Sequence, residues 1–182
     1  MTEDPNRYML KALKLLKRIL SFLLLIILLG FLIPQNLSMP VENATKKDYN
    51  KKSFWFYPWG NSVTHKGLDI FSKRGTKIHS STIGIVIYQK QTHRGGKSII
   101  ILGPKWRFHY YAHLDEILIN KYSFVNHETI IGTVGNSGNA IGKEPHLHYS
   151  IYTLIPYPWR IDGSPQGQKK MHYLNPIEFL EK

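Results

Sequence analysis

The chain has 182 residues, 42% of them hydrophobic and 13% aromatic, which is too apolar for a disordered protein and suffices for one ordinary domain plus a short extra segment. It contains no cysteine, which excludes disulfides and thiolate metal sites and leaves His, Asp and Glu as the candidate metal ligands. Its formal charge is +12, and residues 51–182 alone carry 17 Lys and Arg against 8 Asp and Glu. Such a surface suits solubility or an anionic partner, whether cell-wall polymer, membrane or nucleic acid.

Residues 1–18 form a basic N-terminus in which Lys11, Lys14, Lys17 and Arg18 precede an uncharged run, residues 19–33. As a helix that run is about 22 Å long, short of a hydrocarbon core of about 30 Å, and Leu13, Leu15 and Leu16 can extend it while the lysines snorkel. No small-x-small cleavage signature follows, so the run reads as an uncleaved transmembrane signal-anchor. The basic flank places the N-terminus in the cytoplasm and the remainder outside it. Residues 34–52 are polar, with two prolines and the lysine pairs Lys46-Lys47 and Lys51-Lys52, and read as a linker between membrane and domain.

From residue 53 the character changes. Apolar runs of strand length at residues 84–88, 98–102, 108–112, 130–134 and 147–152 are separated by Gly, Asn and Pro turns. Loops are expected at residues 90–96, 135–145 and 156–170. Many short strands with no long helix among them imply an all-β, mainly antiparallel domain over residues 53–182.

The chemistry lies in a few histidines and one carboxylate. In His146-Leu147-His148, on a strand, the two imidazoles share one face while Leu147 turns to the other. One ring can bind a metal while its neighbour handles protons. His65 and Asp69 are ligand types suited to zinc, Gly67 between them gives the backbone freedom to bring both inward, and His148 completes three ligands. Water at the open fourth position of such a site has its pKa lowered from about 15.7 toward 7. His146 and His113 can then supply a proton acceptor and an oxyanion stabiliser. His109 shares strand parity with Tyr111 and His113, but it reads as a flanking surface residue, as do His79, His93, His127 and His172. Trp55, Trp59, Tyr110 and Trp159 are unranked candidates for lining a groove.

Those residues carry a family resemblance. His65-Lys66-Gly67-Leu68-Asp69 resembles the HxGxD signature of the M23, LytM-like zinc metallopeptidases, and Tyr111-Ala112-His113-Leu114 resembles their YxHL segment. The glycine-rich stretch 135–142 followed by His146-Leu147-His148, and the closing Asn175-Pro176, are similar to the family's remaining motifs. The resemblance spans residues 54–180. It implies that His65, Asp69 and His148 bind Zn²⁺, that His146 is the general base and that His113 stabilises the tetrahedral intermediate. It also implies a LytM-like antiparallel sheet with a loop-walled groove and a peptidoglycan substrate, cut at cross-links or stem peptides. The expected protein is thus a single-pass enzyme of the bacterial cytoplasmic membrane with its catalytic domain outside. The competing expectation is a catalytically silent peptidoglycan-binding or amidase-regulating module. No nucleic-acid partner is expected, because such a role leaves the His-Asp-His set unexplained. Ser150 departs from the pattern, standing where many relatives carry an acidic residue.

Overall fold

The computed structural model describes residues 5–181; the first four residues of the basic N-terminus and Lys182 lie outside the described part. Helix α1 (Pro5–Leu32) covers most of the basic segment as well as the uncharged run. It is long and apolar enough over Arg7–Leu32 to cross a membrane, and residues 7–29 are exposed on every side. An uncharged helical run with its apolar side chains exposed over residues 19–29 suits lipid rather than water.

The rest is a nine-stranded antiparallel sheet whose main path runs β1 (Leu68–Phe71), β8 (His146–Thr153), β5 (Arg107–Ile117), β4 (Gly96–Gly103), β3 (Gly84–Thr92) and β6 (Phe124–Val125). Strand β2 (Lys77–His79) pairs with β7 (Ile130–Val134), β7 pairs with β5, and β9 (Tyr173–Leu174) pairs with β8. The expected all-β class therefore holds, and the only other α-helix among the described residues is the single turn α2 (Ile177–Leu180). The long strands are those with β-branched and aromatic runs. Strands β1, β2, β6 and β9 have two to four residues each, too few to show a periodicity.

Alternation divides the central strands between two faces. In β8, Leu147, Tyr149 and Ile151 are buried in the core beside Ile70, Ile99, Ile101 and Tyr111. Each aliphatic side chain so buried contributes about 1.5–3 kcal/mol. His146, His148 and Ser150 take the opposite face.

Two expectations about connecting segments need correction. Residues 34–52 do not form a loose tether. Val41 bridges to Ile78 and Tyr49 to Ile70, both are buried, and Leu37, Met39 and Ala44 pack on the core. Main-chain bonds from Ser38 to Ser81, Glu42 to Lys77 and His79 to Pro40 fix the strap along β2. Its scattered apolar residues, diluted among polar ones, cover core that the short strands leave open. The loop expected at residues 90–96 is likewise shorter, since β3 continues to Thr92 and β4 begins at Gly96, leaving a turn of three residues.

Candidate metal centre and groove

Strands β1 and β8 lie side by side with Asp69 opposite His148, and β8 meets β5 with His148 opposite Ala112. Partners in register share a face, so Asp69 and His148 project together. His65 arrives from the loop before β1. Its backbone is clamped by the Trp55 N–H donating to His65 O at 2.6 Å and the His65 N–H donating to Phe56 O at 3.0 Å. The Trp59 ring covers the imidazole, with centroids 4.3 Å apart.

Gly67 allows the close approach, though by a different route from the one expected. Its φ is not in the left-handed region; what it supplies is space. A Cβ there would lie 2.5 Å from Ser150 Oγ and 2.7 Å from the Tyr149 carbonyl.

The ring protons are fixed by the neighbours. His65 Nδ1 lies 2.9 Å from Ser53 O, and a carbonyl only accepts, so Nδ1 carries the proton and Nε2 presents a lone pair. Ser150 Oγ donates its single proton to Lys66 O at 2.9 Å. It must therefore accept from His148 Nε2, 3.0 Å away, which leaves His148 Nδ1 as the free nitrogen. His65 Nε2, His148 Nδ1 and Asp69 Oδ1 then converge at 3.1, 3.1 and 2.7 Å from one another. Three acceptors at that separation repel unless a proton or a cation lies among them. With protons there, the contacts with His148 and His65 outweigh the burial that pushes the Asp69 carboxyl up, and hold it well below the usual carboxylate range. With a cation, the same atoms are a two-imidazole, one-carboxylate set, the protein's share of a catalytic zinc site. The residues present thus fit the metal.

His113 reaches this face only through a break in the strand. Tyr111 points into the core and Ala112 into the groove, so regular alternation would bury His113. Instead its φ is +65°, the pairing of β5 with β7 shifts just beyond it, and its ring lies 5.1 Å from that of His146 and 5.9 Å from that of His148. The shared parity expected for Tyr111 and His113 is therefore wrong, because a non-glycine residue in the left-handed region turns its side chain out of sequence. Surroundings hold the strain: the His113 N–H donates to Gly95 O at 2.9 Å, and His113 Nδ1 donates to Ser137 O at 2.9 Å. Gly138 (φ +70°) lets that loop lie against Gly96, where a Cβ would come within 2.2 Å of the Gly96 nitrogen. His146 is held similarly, with Nδ1 donating to Glu144 O at 2.7 Å. Both rings thus present Nε2 to the groove. Burial, then the charge of His148, pushes the His113 imidazole down to about 4, so it is neutral at neutral pH.

The groove over these atoms is lined by Phe71, Tyr110 and Arg94 among others, and Lys143 lies at its edge. Beside it, burial and then the charges of Lys169 and Arg94 push the Lys66 ammonium below its usual value. Cations therefore crowd one rim.

His109 corrects a further expectation. It is fully buried rather than a flanking surface residue, with Nδ1 2.7 Å from the Tyr149 hydroxyl and Nε2 accepting from Gln35 Nε2 at 3.0 Å. His127 and His172 bond to Ser38 Oγ and Thr153 O, away from the groove. Of the four aromatics left unranked, Trp59 and Tyr110 line the groove, Trp55 is buried and Trp159 is exposed elsewhere. Ser150, seen in the sequence only as a departure, orients His148; its i+2 spacing from His148 on a strand was the available signal. Ser53 and Ser137 act through main-chain carbonyls, which no residue type announces.

An antiparallel sheet that gathers two histidines and an aspartate below a groove holding two further imidazoles defines a metallohydrolase-type site. The comparisons give it a family. The family model described as Peptidase family M23 matches residues 63–166, and the chain belongs to that family. It is 34% identical to the L-Ala–D-Glu endopeptidase of Bacillus subtilis (strain 168), over 62% of this chain and 40% of that protein. It is 32% identical to the peptidoglycan DD-endopeptidase ShyA of Vibrio cholerae, over 62% of this chain and 26% of that protein. A solved zinc-containing peptidase from Vibrio cholerae aligns at 26% identity with a TM-score of 0.53, covering 64% of this chain and 36% of that one. The chain thus spans well under two thirds of the length of the curated relatives it matches.

Proposed function

We propose that this chain is a membrane-anchored zinc metalloendopeptidase that hydrolyses peptide bonds of peptidoglycan. The observation that carries the reading is the convergence of His65 Nε2, His148 Nδ1 and Asp69 Oδ1, each ring fixed from behind so that its free nitrogen faces the same point. Zinc held there supplies Lewis-acid polarisation of the scissile carbonyl and acidifies a water. His146 Nε2, with Nδ1 committed to Glu144 O, accepts the proton of the attacking water and passes it to the leaving amine. Burial favours the neutral ring of His113, so it stabilises the oxyanion by donating from Nε2 a proton taken up from solvent in the groove, which the ring keeps when the tetrahedral species collapses. Arg94, Lys143 and Lys169 orient a substrate that carries carboxylates, as peptidoglycan stem peptides do.

In this reading residues 19–33 span the membrane, residues 1–18 are cytoplasmic, and the strap and sheet lie on the extracytoplasmic side. The names of the curated relatives support the substrate class, and the zinc-containing structure supports the metal. The test is digestion of purified peptidoglycan by the full chain, with mass spectrometry of the released muropeptides. New peptide ends should appear with zinc, vanish with a chelator and return when zinc is restored. Binding to peptidoglycan without cleavage at any zinc concentration would instead make the chain a silent wall-binding module.

A further inference from the structure

Helix α1 does not leave the domain as a free stalk. The Trp106 indole N–H donates to Ile27 O at 2.9 Å, and Lys105 Nζ donates to Phe31 O at 2.9 Å. Between them Gly30 lies against Trp106, so close that a Cβ would come 2.3 Å from the indole. The level of these contacts is informative. Ile27 is six residues short of the end of the uncharged run, about 9 Å at 1.5 Å per residue. If that run is in lipid, whatever touches Ile27 lies below the plane at which the chain emerges. Lifting residues 27–33 clear of the bilayer would leave about 12 Å of uncharged helix against a hydrocarbon core of about 30 Å.

The domain surface at this level is apolar. Ile85 and Phe124 are partners in register between β3 and β6, and with Ile83 they are 44%, 70% and 37% exposed. Together with Ile33 and Trp106 they line one cleft against the helix. Tyr122, 72% exposed, and Lys121 lie beside it, with the Lys121 ammonium over the Tyr122 ring. Tryptophan and tyrosine at the edge of an apolar surface, with lysines that can reach lipid phosphates, are the composition of a membrane interface.

We propose that this rim is a second membrane-binding surface, seated in the headgroup and upper acyl region of the leaflet from which α1 emerges. The proposal rests on the reading of α1 as a membrane span. It gives the catalytic groove a fixed height. Strand β5 begins at Arg107, next to the rim, and reaches Ala112 and His113 about 20 Å further along at about 3.3 Å per residue. With residues 35–52 packed on the sheet, no free linker remains to lift the groove further.

The absence of cysteine makes the test direct. Single cysteines replace Leu23, Phe124 or Ile141 in the full chain, each carries a nitroxide, and the protein is placed in phosphatidylethanolamine–phosphatidylglycerol vesicles. Power saturation with oxygen and with an aqueous nickel chelate reads the depth of each label. Labels at Leu23 and Phe124 should favour oxygen several-fold, while the label at Ile141, on the groove loop, should favour nickel. Ile85→Cys serves as a second reporter if Phe124→Cys fails to fold. A lipid-facing Leu23 with an aqueous Phe124 and Ile85 would overturn the docking and leave the anchor intact. An aqueous Leu23 would remove the anchor and the docking with it. Spin–spin broadening at Phe124 that disappears on dilution with unlabelled chain would assign the rim to a second copy and overturn the lipid assignment.

Discussion

The β5–β8 pair carries histidines on both faces, and the two faces differ in how many ring nitrogens the protein satisfies. On the core side, His109 has Nδ1 on the Tyr149 hydroxyl and Nε2 on the Gln35 amide. Nothing is left over for a ligand. On the groove side, His146, His148 and, through its turned backbone, His113 each have one nitrogen committed and one free. Burial alone does not separate the faces, since His113 and His146 are also largely buried. An imidazole becomes available for chemistry here when its environment supplies one partner and withholds the second.

The largest expected effect comes from emptying the centre. His148→Ala removes one of three converging donors. The purified variant should retain no stoichiometric zinc by elemental analysis, and peptidoglycan hydrolysis should fall to background. Full zinc occupancy in that variant would overturn the ligand assignment. His146→Ala should behave differently, keeping zinc at wild-type stoichiometry while kcat drops by about 10²–10⁴-fold, the usual contribution of a positioned acid–base group. If zinc is lost as well, the division of labour within His146-Leu147-His148 is wrong.

A smaller effect is expected one step back from the metal. Ser150→Ala removes the oxygen that takes the His148 Nε2 proton, so the ring can rotate or change tautomer. Zinc affinity should weaken by about 10–100-fold, as for other outer-shell partners of metal-ligating histidines, with circular dichroism unchanged. Ser150→Thr keeps the hydroxyl and should recover much of the loss. Equal affinities for the alanine variant and the wild type, measured by competition with a chromogenic chelator, would show that Ser150 does not orient the ligand.

What the sequence shows and hides follows the same division. The long strands are legible because β-branched and aromatic runs end at turn residues, and the His-Asp-His group is legible because i, i+2 spacing on a strand and an HxGxD segment are local patterns. Context set by distant residues is not legible. The φ of +65° at His113 reverses its facing, and its supports, Gly95 and Ser137, are 18 and 24 positions away. The burial of His109 is hidden in the sequence because its partners, Tyr149 and Gln35, belong to β8 and to the segment after α1. The strap at residues 34–52 has the composition of a linker because Val41 and Tyr49 are isolated among polar residues, and only the sheet edge they cover gives them a role.

The smallest effect tests the silent face. Burial, then the charge of Arg107, pushes the His109 imidazole down from 6.5 to about 3, so the folded protein keeps the ring neutral where the unfolded chain protonates it. A histidine with a depressed folded pKa contributes stability that is present above pH 6.5. That contribution is lost as pH falls toward 3, at about 1.4 kcal/mol per pH unit. Between pH 7 and 5 the loss amounts to about 2 kcal/mol. Other groups also change protonation with pH, so the slope must be taken as a difference. His109→Gln keeps a donor and an acceptor in the same place and cannot protonate. In urea unfolding of the metal-free chain in detergent, the wild type should therefore lose about 2 kcal/mol more than the variant over those two pH units. Parallel pH profiles would mean that His109 protonates in the folded state, either from solvent or by breaking its bond to Gln35. Its ring would then belong with those on the groove side, with one nitrogen free.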